Sequence, residues 1–214
     1  MVKQIGLFWY IVGAPGGAFY GTPWPTKADA DEILRAVLAQ HERAASCDLL
    51  PSETPGPHYQ GPVQDILGDG WDLMIAHPPC THLAVSGARW FKDKAQEQAE
   101  ALDFVRLLLA APIARIALEN PVSVISSRIR RPDQVIQPWQ FGHEATKTTC
   151  LWLKGLPHLT PTNIVGKGAR HVTKSGRSLP QWYNLPPSAD RWKIRSATFQ
   201  GIADAMAEQW GNPC

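Results

Sequence analysis

Asp72-Leu73-Met74-Ile75-Ala76-His77-Pro78-Pro79-Cys80-Thr81 is the stretch that decides the fold. Its first five residues make a short, mostly apolar run bounded by turn residues, which predicts a buried strand. A thiol follows at the carboxyl end of that strand, where open α/β sheets place their chemistry. The two prolines before Cys80 stiffen the loop and remove two backbone donors that would otherwise need partners. A second unit of the same kind lies downstream: Arg115–Leu118 predicts a strand, and Glu119-Asn120-Pro121 the loop beyond it. A cysteine and a glutamate on two such loops suggest a nucleophile with an acidic helper.

Outward from these loops the pattern continues. Between them, Ala101, Phe104, Val105, Leu108 and Leu109 have helical spacing and predict a helix over Lys92–Ala111, stopped by Pro112. Upstream, Ile5–Val12 predicts a first strand, followed by the glycine-rich turn Gly13–Gly17. A helix with its apolar face at Ile33, Leu34, Val37 and Leu38 ends near Arg43, and Ala44–Asp48 is a second strand. Downstream, Pro132–Phe141 and Thr148–Leu153 predict strands, Gly155–Pro187 irregular chain, and Phe199, Ile202, Met206 and Trp210 the apolar face of a terminal helix. This order predicts an α/β domain with a mainly parallel central sheet. Right-handed crossovers then bring Gly13, Asp48, Cys80 and Glu119 to one edge of it.

The chain has 214 residues, enough for one domain with a full core. Its 44 % hydrophobic content excludes disorder, and no apolar run reaches the roughly 18–20 residues of a membrane span. The N-terminal apolar run lacks the basic lead and cleavage site of a signal peptide. Cys47, Cys80, Cys150 and Cys214 form no CxxC pair, so neither a zinc finger nor a disulfide framework is expected, and a reducing cytoplasm is the simplest location. Net charge is only +2. Basic residues cluster at Arg128, Arg130 and Arg131, and again from Lys167 through Arg170, His171 and Lys174 to Arg177, as in segments that contact phosphates. A solvated surface loop is the plain alternative.

Asp72–Thr81 together with Glu119-Asn120-Pro121 resembles the cytosine-C5 DNA methyltransferases, which carry a Pro-Cys loop after one strand and a Glu-Asn loop after the next. Ser46–Arg89, Leu118–Pro157 and the tail around Ile194–Trp210 look more closely like small phage- or prophage-encoded proteins of that type. The resemblance covers roughly three quarters of the chain. It implies a Rossmann-like methyltransferase domain over residues 1–124 and 192–214. Residues 125–191 would form a small basic, irregular insertion that contacts DNA.

The resemblance also implies the chemistry. Cys80 adds to carbon 6 of cytosine, and Glu119 holds the N3 and N4 edge, favouring protonation at N3. The methyl donor is S-adenosylmethionine, and the base must leave the DNA helix to be reached. Gly13, Gly16, Gly17, Asp48, Asp65 and Pro78 are the expected cofactor contacts. Pro79, Asn120, Pro121, Lys147, Arg128 and Arg130 are the expected substrate contacts. Two departures from the family pattern stand out. Gly61-Pro62-Val63 replaces a Gly-Asp-Ile turn, leaving Asp65 as the nearest carboxylate, and Val12–Gly17 only approximates the family's glycine turn.

The residues themselves leave alternatives open. Cys80 also suits a buried structural cysteine, Glu119 a surface carboxylate, Asp48 a helix cap, and Gly13–Gly17 a plain turn. His77, Cys80 and His82 invite a metal, but no fourth ligand is obvious, and Cys80-Thr81-His82 lacks the second cysteine of the zinc deaminase pattern. No metal is expected. Two other functions compete with the first: a catalytically inactive relative that binds DNA or protein, and a cysteine-dependent enzyme acting on free pyrimidine nucleotides.

Overall fold

The structure is a computed structural model that describes residues 8–13, 44–52, 56–184 and 198–211. The helix expected before Arg43 lies outside the described residues, as do Gly16 and Gly17. Nine strands are described: β1 (Phe8–Gly13), β2 (Ala44–Asp48), β3 (His58–Gln60), β4 (Trp71–His77), β5 (Arg115–Asn120), β6 (Gln134–Ile136), β7 (Thr149–Lys154), β8 (Arg170–Val172) and β9 (Ser178–Pro180). The helices are α1 (Ala95–Leu109), α2 (Ile125–Arg128) and α3 (Gln200–Trp210). A 3-10 stretch over Val85–Lys94 leads into α1.

Seven strands form one sheet in the order β3-β2-β1-β4-β5-β7-β6. The sheet is mixed, which corrects the expectation of a mainly parallel one. Only the pairs β2·β3 and β4·β5 are parallel, while β1·β2, β1·β4, β5·β7 and β6·β7 are antiparallel. An apolar run predicts a strand but carries no direction; the connections set that. Val12 pairs with Ala44, so the chain enters β2 beside the place where it left β1. One consequence follows for the expected site. Gly13 pairs with Trp71 at the start of β4, whereas Phe8 pairs with His77 at its end. Gly13 therefore stands at the opposite edge from Asp48, Cys80 and Glu119.

Two hydrophobic layers sandwich the sheet. On one face Leu73, Ile75, Ala117 and Leu151 pack against Ile202, Met206 and Trp210 of α3. On the other, Met74, Ala76, Ile116, Leu118 and Trp152 pack against Leu102, Val105 and Leu108 of α1. The alternation along β4 and β5 is the period-2 pattern of strands buried on both faces. The terminal helix has the predicted face, and no helix among the described residues is long and apolar enough to cross a membrane. Residues expected to be irregular contain the β8–β9 hairpin, and the predicted Pro132–Phe141 strand is reduced to β6 followed by a 3-10 turn over Pro138–Gln140.

The α3 helix lies so close to the chain at Phe141 that a Cβ built on Gly201 would collide with the Phe141 carbonyl oxygen. Gly201→Ala should gain about 1 kcal/mol of helix propensity, but the overpacking costs about 1–3 kcal/mol. The expected net result is destabilisation, read as a lower urea midpoint; a raised midpoint would contradict this packing.

Candidate active site

β4 ends at His77 and β5 at Asn120, and Ala76 pairs with Leu118 in parallel register. The next residues along, His77 and Glu119, are therefore neighbours on the α3 face. His77 Nδ1 lies 3.2 Å from Glu119 Oε2, with the two side chains 11 % and 20 % exposed. The pair is sheltered yet open enough for a ligand to reach. With Nδ1 donating to the carboxylate, a neutral His77 keeps an unprotonated Nε2, which is buried without a protein partner.

On the other face, the buried Asn120 donates from Nδ2 to the carbonyl of Pro78 at 2.9 Å. The same contact satisfies an acceptor in a loop that prolines leave poor in donors. Backbone bonds then hold the two loops together. Leu83 and Ala84 N–H groups donate to the Cys80 carbonyl at 3.0 and 2.8 Å, closing a tight turn around the cysteine. Val85 N–H donates to Val122 and Val124 N–H to Leu83, and Ala84 pairs with Ser123. Gln98 of α1 holds His82 by its carbonyl at 3.0 Å. The placement of Cys80 relative to Glu119-Asn120-Pro121 is thus fixed by main-chain contacts.

Cys47, Cys80 and Cys150 are thiols. Burial, helped by the charges of Asp48 and Asp65, pushes the Cys47 thiol far up, and burial with the Glu119 charge pushes Cys150 up to about 11. Neither supplies a thiolate near neutrality. Cys80 is the partly exposed one. Three polar atoms at this edge, His77 Nε2 at the end of β4, Asn120 Oδ1 at the end of β5 and Ser123 Oγ beyond it, are buried with no hydrogen-bond partner among the described residues. Such atoms are rare in folded proteins.

Asp48 ends β2 at the same sheet edge and on the same face as His77 and Glu119, because it alternates with Ala44 of the α3-side core. It is buried, and its Oδ1 accepts from the N–H of Leu50 at 2.9 Å. With β1 between them, Asp48 and His77 stand two strand spacings apart, on the order of 10 Å. Asp65 follows β3 at this edge, exposed, and accepts a 2.6 Å bond from the Tyr59 hydroxyl.

Lys147 also reaches the edge. Asn120 pairs with Cys150 at this end of the β5·β7 ladder, and Lys147 lies three residues before Cys150 in the chain. Its Nζ lies 5.8 Å from the centroid of Phe199, the ring that tilts against His143 at 5.2 Å. His143 Nε2 in turn accepts from the Gly201 N–H at 2.9 Å, capping α3 from 58 residues away. At its far end α3 meets the opposite sheet edge, where Arg115 donates to the Trp210 carbonyl at 2.9 Å. The amino end of α3 therefore borders the candidate site.

The two arginines are placed otherwise. Arg128 is exposed at the end of α2, and its carbonyl takes a bond from Arg106. Arg130 is committed to the fold, donating to Asp133 and to the Leu153 carbonyl. Burial raises the Asp133 carboxyl, but the Leu153 N–H and Arg130 outweigh it and hold Asp133 below the usual carboxylate range. Among the described residues no group of three or more His, Cys, Asp and Glu is arranged to hold a metal ion.

The partnership of His77 with Glu119 escaped the reading of residues, which weighed His77 only as a metal ligand. The available signal was its position: it ends one of two parallel neighbours, one residue before the prolines. No protein-family model matches the sequence, and no curated protein or solved structure matches it significantly.

Proposed function

We propose that this protein is a cytosine-C5 DNA methyltransferase of Rossmann-like type. The observation that carries the reading is the joined carboxyl ends of β4 and β5: a partly exposed Cys80 on the loop after β4, and Glu119 with Asn120 as the last residues of β5. Cytosine carbon 5 is too poor a nucleophile to attack a methyl group unaided. As Cys80 Sγ adds to carbon 6, its thiol proton passes by way of the Glu119 carboxylate to N3, so that electron density moves to carbon 5. His77 positions the Glu119 carboxyl, and Asn120 holds the Pro78 carbonyl two residues before Cys80. After carbon 5 has gained its methyl group, loss of its proton to a base and departure of Sγ restore the ring.

S-adenosylmethionine would supply an electrophilic methyl group. The residues fit it in part. Asp48 at the end of β2 and Asp65 after β3 stand at the site's edge, suited to ribose hydroxyls and an adenine amine. Gly13, at the other edge, is not used in this reading.

Duplex DNA incubated with the protein and the donor, digested and examined by mass spectrometry, should contain 5-methylcytosine. Glu119→Gln should lower turnover by about 10²–10⁴-fold, the range for removing a general acid. Complete absence of 5-methylcytosine over a panel of duplexes and free cytidine nucleotides sinks the enzyme reading. The opposite placement of Gly13 favours a second reading, a relative that binds DNA without using the donor. Calorimetry separates the two: tight binding of S-adenosylmethionine eliminates the second.

A further inference from the structure

Glu119 is held at one carboxyl oxygen and open at the other. Its Oε2 lies 3.2 Å from His77 Nδ1, and among the described residues His77 is the one side chain bonded to it. Oε1 has no partner there and does not belong to the buried atoms, so a ligand can meet it. The parallel register of β4 and β5 creates this asymmetry. It pairs Ala76 with Leu118 and so sets the next residue of each strand beside the other. His77 itself is closely kept, with its side chain 11 % exposed and its Nε2 buried.

Hydrogen-bond chemistry assigns the donor. A carboxylate offers only acceptors, so Nδ1 carries the hydrogen and, in the neutral ring, Nε2 the lone pair. The bond from Nδ1 makes Oε2 the poorer site for a further hydrogen. A proton taken up by Glu119 therefore sits on Oε1. Oε2 still has a free lone pair, because each carboxylate oxygen has two.

These roles fit one kind of base edge. Cytosine offers an acceptor at N3 and, beside it, the hydrogens of its 4-amino group. Oε1–H meets N3, and Oε2 accepts from the amino group. Uracil carries a hydrogen on N3 with an oxygen on each side of it, at C2 and C4. Its N3–H would face Oε1–H and an oxygen would face Oε2, whichever way the ring is turned over. Carbon 6 lies across the ring from N3, so its bond to Cys80 Sγ keeps any other edge from Glu119.

We propose that His77 is a positioning residue that determines base specificity. By donating to Oε2 it confines the transferred proton to Oε1, which admits a 4-aminopyrimidine and rejects a 4-oxopyrimidine. The thiol proton of Cys80 passes to Oε1 and from there to N3, and Glu119 ends the step as the carboxylate it began as. The proposal rests on the cytosine reading of the preceding section and adds the residue that enforces it.

The test compares a mixed-sequence duplex with the same duplex carrying deoxyuridine at every cytosine. The donor is S-adenosylmethionine with a deuterated methyl group, and labelled 5-methylcytosine and labelled thymine are read by mass spectrometry. The wild-type chain should favour cytosine. His77→Ala should lower kcat on cytosine about 10–100-fold, the size of one hydrogen bond to a charged group, with little change in KM. The cytosine-to-uracil ratio should fall by a similar factor. His77→Asn can place its amide nitrogen where Nδ1 stood and should restore both. His77→Gln, whose amide reaches the Nε2 position instead, should not. An unchanged ratio in the alanine variant, or equal rescue by the two amides, overturns the proposal. The two amides alone decide it if the alanine variant does not fold.

Nitrogen NMR of the imidazole ring in the wild-type chain is a second readout that needs no turnover. Hydrogen on Nδ1 is expected, and hydrogen on Nε2 alone overturns the proposal. If 5-methylcytosine forms while the ratio stays fixed in the variants, the role of His77 fails and the catalytic reading stands. If neither duplex is methylated, the catalytic reading fails and the specificity role falls with it, whereas hydrogen on Nδ1 would still uphold the bond to Glu119.

Discussion

Cys80→Ala is expected to abolish methyl transfer, a fall on the order of 10⁴-fold or more. A nucleophile acting with its partners as a unit leaves little behind when removed. No other described thiol can replace it. Cys47 lies in the core with its Sγ toward the Gly61 carbonyl, and Cys150 is pushed up to about 11 by burial and by Glu119. Cys150→Ala, in contrast, should keep turnover. DNA containing 5-fluorocytosine sharpens the test. Fluorine sits where a proton must leave carbon 5, so the Sγ–carbon 6 bond, once made, has no exit. The wild-type chain with donor should then run as a covalent complex on a denaturing gel, and Cys80→Ala should not. A complex that persists in the alanine variant would assign the nucleophile elsewhere.

Trp152→Ala should be the most damaging single change to the fold. Trp152 is fully buried in β7 and packs into the layer between the sheet and α1. Its indole N–H donates to the Arg130 carbonyl at 2.8 Å. Large-to-small core changes of this size cost about 3–5 kcal/mol, and leaving a buried carbonyl unpaired adds about 1–3 kcal/mol. A domain is stable by roughly 5–15 kcal/mol in all, so much of the population would unfold. Trp152→Phe keeps most of the volume and should lose far less. Urea unfolding compares the three; a cost below about 1 kcal/mol for the alanine variant would contradict the packing described here.

Much of the sheet's inventory was readable from residues. The runs at Ala44–Asp48, Asp72–Ala76, Arg115–Leu118 and Thr148–Leu153 are short, apolar and bounded by breakers, and each lies on a strand. The helical faces at Val105 and Leu108, and at Ile202, Met206 and Trp210, repeat at 3.6 residues and are buried. The short strands β3, β8 and β9 were not readable. Three residues are too few to establish a period; pairing with β2 forms β3, and pairing with each other forms β8 and β9.

The site divides in the same way. Cys80 and Glu119 were legible because each stands near the end of a clear apolar run beside a proline, although Glu119 and Asn120 are the last residues of β5 and not the loop expected after it. His77 was not, because its partner lies 42 residues away and only the parallel register of β4 and β5 brings them together. The sequence by itself determined which segments are strands and helices, which cysteine stands on a loop, and where basic residues are unbalanced by acids. Those properties are local: period, turn chemistry and charge count. The tertiary structure alone decided that β1 runs antiparallel, that Gly13 faces away from the site, and that Arg130 serves the fold. It also decided that Glu119 stands between His77 of β4 and Leu151 of β7. Strand direction and contacts between distant residues come from hydrogen-bond register, which no run of neighbouring residues encodes.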